Sequence, residues 1–113
     1  MKLYEIAHAR AGDKGDTSDL SVLAFDQRDF PRLVDQVTIE RVRAHFAGVV
    51  HGEIERYVLP RLGALKFVLH RALGGGVTRS LALDAHGKCY SSLLLDLDLP
   101  DDDEAENQTL TTP

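Results

Sequence analysis

An α+β sandwich, a mainly antiparallel sheet with two helices on one face, is the fold class this sequence predicts. Lys2 to His8 and Leu93 to Leu99 alternate with period two, as half-buried strands do. Leu20 to Phe25 is an apolar run that suits a central strand buried on both faces. Two further stretches carry apolar residues three and four apart, the spacing of one helix face.

In chain order, Tyr4, Ile6 and His8 share one face of the first strand, and Leu3, Glu5 and Ala7 the other. His8 to Ser18 follows as a charge-dense connection, longer than the roughly two to five residues a hairpin needs. After the Leu20–Phe25 strand, Asp29-Phe30-Pro31 breaks the sheet pattern and opens a short helical turn. Thr38 is a good N-cap, and Ile39, Val42, Phe46 and Val49 follow at helical spacing. Glu40 suits the positive end of that helix, and Gly48 or Gly52 ends it. Glu53 to Leu59 reads as the next strand. Pro60 opens a second helix, lined by Leu62, Leu65, Val68, Leu69 and Leu73 and stopped by Gly74-Gly75-Gly76. Ser80 to Asp84 reads as a short strand and Ala85-His86-Gly87-Lys88 as a turn. Leu93, Leu95, Leu97 and Leu99 line one face of the last strand.

The 113 residues suffice for one domain, residues 1–99, with a core that needs no staples. No apolar run of about 18 residues offers a membrane span. Met1 to Glu5 lacks the apolar segment of an export signal, and the single Cys89 fits a reducing compartment, packed as a small apolar residue. A cytoplasmic location is expected. The net charge of −5 arises after Pro100, where Asp101, Asp102, Asp103, Glu104 and Glu106 lie without a cation. Removing those five from the 18 acidic residues leaves 13, against 13 Lys and Arg. That balance gives no basic footprint for nucleic acid, so neither nucleic acid nor membrane is an expected partner. Residues 100–113 read as an acidic, disordered tail that can be deleted without loss of folding. A sheet with one bare face needs cover, and a homodimer or higher homo-oligomer is the expected assembly.

The chemistry-bearing residues cluster in two places. The first is the charged connection: Gly12 and Gly15 let a ligand approach the backbone, and Arg10 and Lys14 offer charge to a carboxylate or phosphate. Asp13 would orient one of those cations, and His8, closing the strand beside them, is the candidate for proton transfer. A solvated connection with Arg10 paired to Asp13 or Asp16 is the competing view. The second place is Gly74-Gly75-Gly76, three glycines where a helix C-cap needs one, which would face Arg10, Asp13 and Lys14 across a shared surface. P-loop residue types occur from Gly12 to Ser18, but the spacing is wrong and a strand follows instead of a helix. His8, His45, His51, His70 and His86 include no pair four apart, so no metal site and no cofactor is expected. Ser80 has no evident base beside it. Tyr57 and Tyr90 fit either interface anchors or partly buried strand positions.

Three segments in order, Ala7 to Asp16, Leu73 to Val77 and Ser80 to Lys88, resemble the C-terminal, ferredoxin-like domain of the acyclic terpene utilisation (AtuA) family. That domain also occurs as a separate small protein. The similarity runs from about Leu3 to Leu99. Arg10, Gly12, Asp13, Lys14 and Gly15 match the family's Arg-Ser-Gly-Asp-Lys-Gly run, with Ala11 in place of Ser. Lys66 stands before Phe67, where the family pattern leads to an Asn. The resemblance implies a ferredoxin-like fold and the breakdown of acyclic terpenoid or branched acids, handled as coenzyme A thioesters. It also implies a partner like the larger N-terminal domain of the two-domain members. Two roles follow. One is an accessory or small subunit of an AtuA-type system, catalytic only in complex with the larger AtuA-like subunit. The other is a self-contained dimeric module that binds a small anion without catalysis. A free-standing enzyme ranks third, because no nucleophile–base pair or metal set stands out.

Overall fold

The N-terminal hairpin is longer than its sequence predicts. In the computed structural model, which describes residues 1–72 and 88–100, β1 (Ala7–Lys14) pairs antiparallel with β2 (Thr17–Ala24). The ladder runs from Ala7↔Ala24 to Lys14↔Thr17. The charged connection is therefore mostly strand, and only Gly15 and Asp16 turn the chain. Gly15 has φ of 62° and Asp16 does not share the positive sign, the pattern of a type II′ turn. Leu3–Glu5, read as strand, instead forms a 3₁₀ turn whose start is tied by the Lys2 N–H donating to the Glu5 carboxylate at 2.7 Å.

A 3₁₀ turn at Gln27–Asp29 leads into α1 (Phe30–Gln36), with Pro31 in the first turn, where no intrahelical N–H is required. α2 (Ile39–His45) begins as expected, with the Thr38 hydroxyl accepting from the Arg41 N–H at 3.2 Å. It ends before Val49, and Gly48 reverses the chain at φ of 84°. β3 (Ile54–Leu59) follows, as predicted.

The largest correction lies after Pro60. The expected helix is a 3₁₀ turn (Pro60–Leu62), a left-handed Gly63 at φ of 60°, and β4 (Ala64–Leu69). Leu65 and Leu69 satisfy both periods, but Leu65, Phe67 and Leu69 also alternate. β4 is bonded to β2 on one side and β3 on the other. Two ladders and burial of three large side chains override a local helical spacing.

The C-terminal segment departs the opposite way. Lys88–Leu95 is α3, so Leu93 to Leu95, read as strand, are helical. Tyr90, Leu94 and Leu97 are buried at spacings of four and three, whereas Leu93 is 39 % exposed. Only Asp98 keeps a strand contact, an isolated bridge to Lys2. The predicted strand at Ser80–Asp84, the turn from Ala85, the glycines Gly74, Gly75 and Gly76, and the tail from Asp101 lie outside the described residues.

The sheet order is β1-β2-β4-β3, and every neighbouring pair is antiparallel. Counting α1 and α2 as one connection, the described chain runs β-β-α-β-β-α. This is the ferredoxin-like β-α-β-β-α-β order with its last strand moved to the front. Backbone bonds from Leu3 N–H to Leu97 and from Leu99 N–H to Met1, 2.9 and 2.7 Å, close that cycle.

The core lies between the sheet and the helices. Leu20 and Val22 of β2 and Leu65, Phe67 and Leu69 of β4 meet Leu33, Val42, Phe46, Tyr90 and Leu94. Phe46 and Tyr90 have ring centroids 5.7 Å apart, and the Tyr90 hydroxyl donates to the Ala72 carbonyl, so the buried phenol has a partner.

Removing the Phe67 ring from the central strand, by Phe67→Ala, should lower unfolding free energy by about 3–5 kcal/mol. Removing the helix cap by Thr38→Ala should cost about 1 kcal/mol. Urea denaturation of both variants checks the ranking, and equal losses would contradict a core centred on β4.

Candidate functional site

Side chains alternate along strands, so the residues left over from the core define the opposite face. The ladders arrange them in rows across the sheet. Arg10, Ser21, Lys66 and Tyr57 form one row, in the order β1, β2, β4, β3. Gly12, Asp19, Val68 and Glu55 form the next, and His8, Leu23, Ala64 and Leu59 the row on the other side. Beyond Glu55 the sheet continues into Glu53, whose carbonyl accepts the His70 N–H at 3.0 Å, while Lys14 pairs with Thr17 on the far edge. His8, Arg10, Lys14 and Tyr57 are exposed, and Asp19, Ser21, Lys66 and His70 half-buried.

Arg10 and Lys14 both lie on this face, four residues apart along the edge strand β1. The face does not bring Asp13 to them. Asp13 has the opposite parity and points to the helix side of β1, opposite the buried Ser18. The open-face carboxylate nearest this edge is Asp19, which sits directly over Gly12. A Cβ at Gly12 would lie 3.0 Å from the Asp19 Oδ1, so glycine there makes room for that side chain. Gly15 serves the turn. His8 packs edge-on against Phe25, centroids 5.6 Å apart, and no hydrogen bond to another described residue orients its ring.

On this face the histidine held by a hydrogen bond is His70. Its Nε2 lies 2.5 Å from the Glu55 carboxylate, which also accepts the Tyr57 hydroxyl. The hydrogen bond from His70, then that from Tyr57, holds the Glu55 carboxyl below the usual glutamate range. The same contact with Glu55 raises the Tyr57 phenol. Sequence reasoning missed Ser21, Lys66, Glu55, Tyr57 and His70 as one surface because it read β4 as helix. The signal available was the alternation of Ala7, Ala9 and Ala11 with His8, Arg10 and Gly12, which continues the first strand through the charged stretch.

Elsewhere, an apolar concavity of about 490 Å³ is formed by Val58, Leu59, Pro60, Arg61 and Leu62 at the end of β3. Among the described residues no cluster of three or more His, Cys, Asp or Glu could hold a metal ion. No described helix is long and apolar enough to cross a membrane.

The molecule is thus an α+β domain with helices on one side of an antiparallel sheet and a polar, cation-bearing surface on the other. The family model for the AtuA ferredoxin-like domain matches residues 1–100, and the chain belongs to that family. Neither a curated protein nor a solved structure gives a match. Ala11, within the run from Arg10 to Gly15, and Lys66, before Phe67, lie on opposite faces of the sheet. Ala11 is on the covered face, packed against the core, whereas Lys66 is on the open face in the row of Arg10.

Because the Glu55 carboxyl is lowered in the folded state, its contribution to stability is present above the ordinary glutamate value of 4.5 and is lost as pH falls through the folded value. The melting-temperature gap between wild type and Glu55→Gln should therefore be largest near neutrality and close in acid. A gap that widens on acidification would contradict the assignment.

Proposed function

We infer that this chain is the accessory subunit of an AtuA-type system acting on acyclic terpenoid or branched acids, carried as coenzyme A thioesters, in the cytoplasm. The observation that carries the reading is the row of Arg10, Ser21 and Lys66 on the sheet face that no described helix covers. A guanidinium fork, a hydroxyl and an ammonium are all donors, and together they suit the oxygens of a carboxylate or phosphate. Flanking strands lie about 4.8 Å apart, so the long side chains of Arg10 and Lys66 can both reach a group seated above Ser21. Lys14 adds charge from the same edge, while Gly12 and Gly15 shape the hairpin that presents it. A larger AtuA-like subunit would supply the remaining catalytic groups, with Gly74, Gly75 and Gly76 part of the contact. Family membership supports this assignment. A second reading, a self-contained dimeric module for a small anion, draws on the separation of charge across the same face.

With isovaleryl-coenzyme A as probe, Arg10→Ala and Lys66→Ala should each weaken binding at least about tenfold, measured by calorimetry. Melting temperatures should be unchanged, since neither side chain is in the core. Unaltered affinity in both variants would overturn the ligand site. Failure of the chain to co-purify with a larger AtuA-like subunit from its host would overturn the accessory role.

A further inference from the structure

We propose that the open sheet face pairs with the same face of a second copy of this chain, about a two-fold axis parallel to the strands. The argument needs only the sheet; the pairing covers the row of Arg10, Ser21 and Lys66, so it competes with the ligand and the larger subunit for that surface.

Charge on this face is ordered by strand, with Lys66 cationic on β4 and Asp19 anionic on β2 between the two edges. β1 at one edge carries Arg10 and Lys14, and its open-face side chains include no carboxylate. The opposite edge carries Glu55 on β3 and Glu53 just before it. Val68 apart, the larger apolar side chains gather at one end of the strands. Leu23 and Leu59 share a row there, and Phe25, 65 % exposed, packs on His8 beside them.

Two sheets stacked face to face at roughly 10 Å can be related by two perpendicular in-plane axes. An axis across the strands lays β1 on β1 and β3 on β3, so cation meets cation and carboxylate meets carboxylate. An axis along the strands, passing between β2 and β4, lays β1 on β3 and β2 on β4. Lys14 then faces Glu53 of the second copy, and Glu55, opposite Gly12, lies one row from both Arg10 and Lys14, twice over by symmetry. The same operation keeps each row at its own height, so the apolar end with Leu23, Phe25 and Leu59 meets itself. Both patterns are satisfied by one axis. Like charges in register disfavour the alternative packing, and an isologous two-fold contact closes without leaving a further sticky surface.

The test is a charge exchange. One variant carries Arg10→Glu and Lys14→Glu, the other Glu53→Lys and Glu55→Lys; all four positions lie outside the core, and circular-dichroism melts confirm folding. Light scattering at about 50 μM and low salt should return, for the wild type, a mass near twice the 12.5 kDa of one chain. Each variant alone should be shifted to monomer, its dimer dissociation constant raised at least about tenfold. An equimolar mixture should recover the dimer mass, because every opposed pair is again of opposite sign. A monomeric wild type would overturn the proposal, as would a dimer indifferent to both variants. Monomeric variants that stay monomeric when mixed would overturn the strand-parallel axis. None of these outcomes depends on acyl-coenzyme A binding, so failure here and failure of the accessory-subunit reading are separable.

Discussion

Ser18, Leu20 and Val22 of β2 face Leu69, Phe67 and Leu65 of β4 across the middle of the sheet, and the other elements are arranged around that register. All six side chains are fully buried. β1 and β3 extend the pairing outward, and the three helices gain their burial from the apolar surface the two central strands present. A slip of one residue between β2 and β4 would exchange the two faces of one strand, exposing Leu20 and burying Asp19 and Ser21. The pairing is strongly specified because one side is apolar and the other polar.

The same alternation creates the functional surface. Each central residue turned toward the helices leaves its neighbours turned away, so Ser21 lies between Leu20 and Val22, and Lys66 between Leu65 and Phe67. Core and site are two readings of the same strands. This is why the family departure at Ala11 leaves the exposed row untouched while Lys66 alters it: an ammonium there places a second fixed charge near Arg10. The Glu55–His70–Tyr57 contacts occupy the other edge, giving the face a basic and an acidic margin. Such polarity bears more on orientation and partner choice than on stability, because exposed ion pairs contribute little to folding.

Moving the final ferredoxin-like strand to the front of the chain has a topological consequence. The hairpin β1–β2 becomes a local unit closed by two residues, and the junction that would otherwise link helix to strand becomes the meeting of Met1 and Leu3 with Leu97 and Leu99. Lys2 reinforces it with ion pairs to Asp98 and Asp96 at 3.0 and 3.6 Å. The edge strand bearing Arg10 and Lys14 is thereby held by a full ladder and, just before it, by the contacts of Met1 and Leu3 with Leu97 and Leu99.

The α+β class, the capped helix after Thr38 and the strand before Pro60 were legible in the residues themselves, because caps and simple alternation are local signals; the charged stretch from His8 to Ser18 read as a loop and is mostly strand. The family resemblance carried by Arg10, Gly12, Asp13, Lys14 and Gly15 was legible for the same reason. The assignment of β4 and α3 was not. Leu62, Leu65, Leu69 and Leu73 satisfy a helical period and Leu93 to Leu99 a strand period, and short apolar runs carry both. Only partners at a distance decide between them: two flanking strands claim Leu65, Phe67 and Leu69, and the packing of Tyr90 against Phe46 and Ala72 sets the face of α3. The composition of the site follows from that decision, since Lys66 joins Arg10, and His70 joins Glu55, only when β4 lies between β2 and β3.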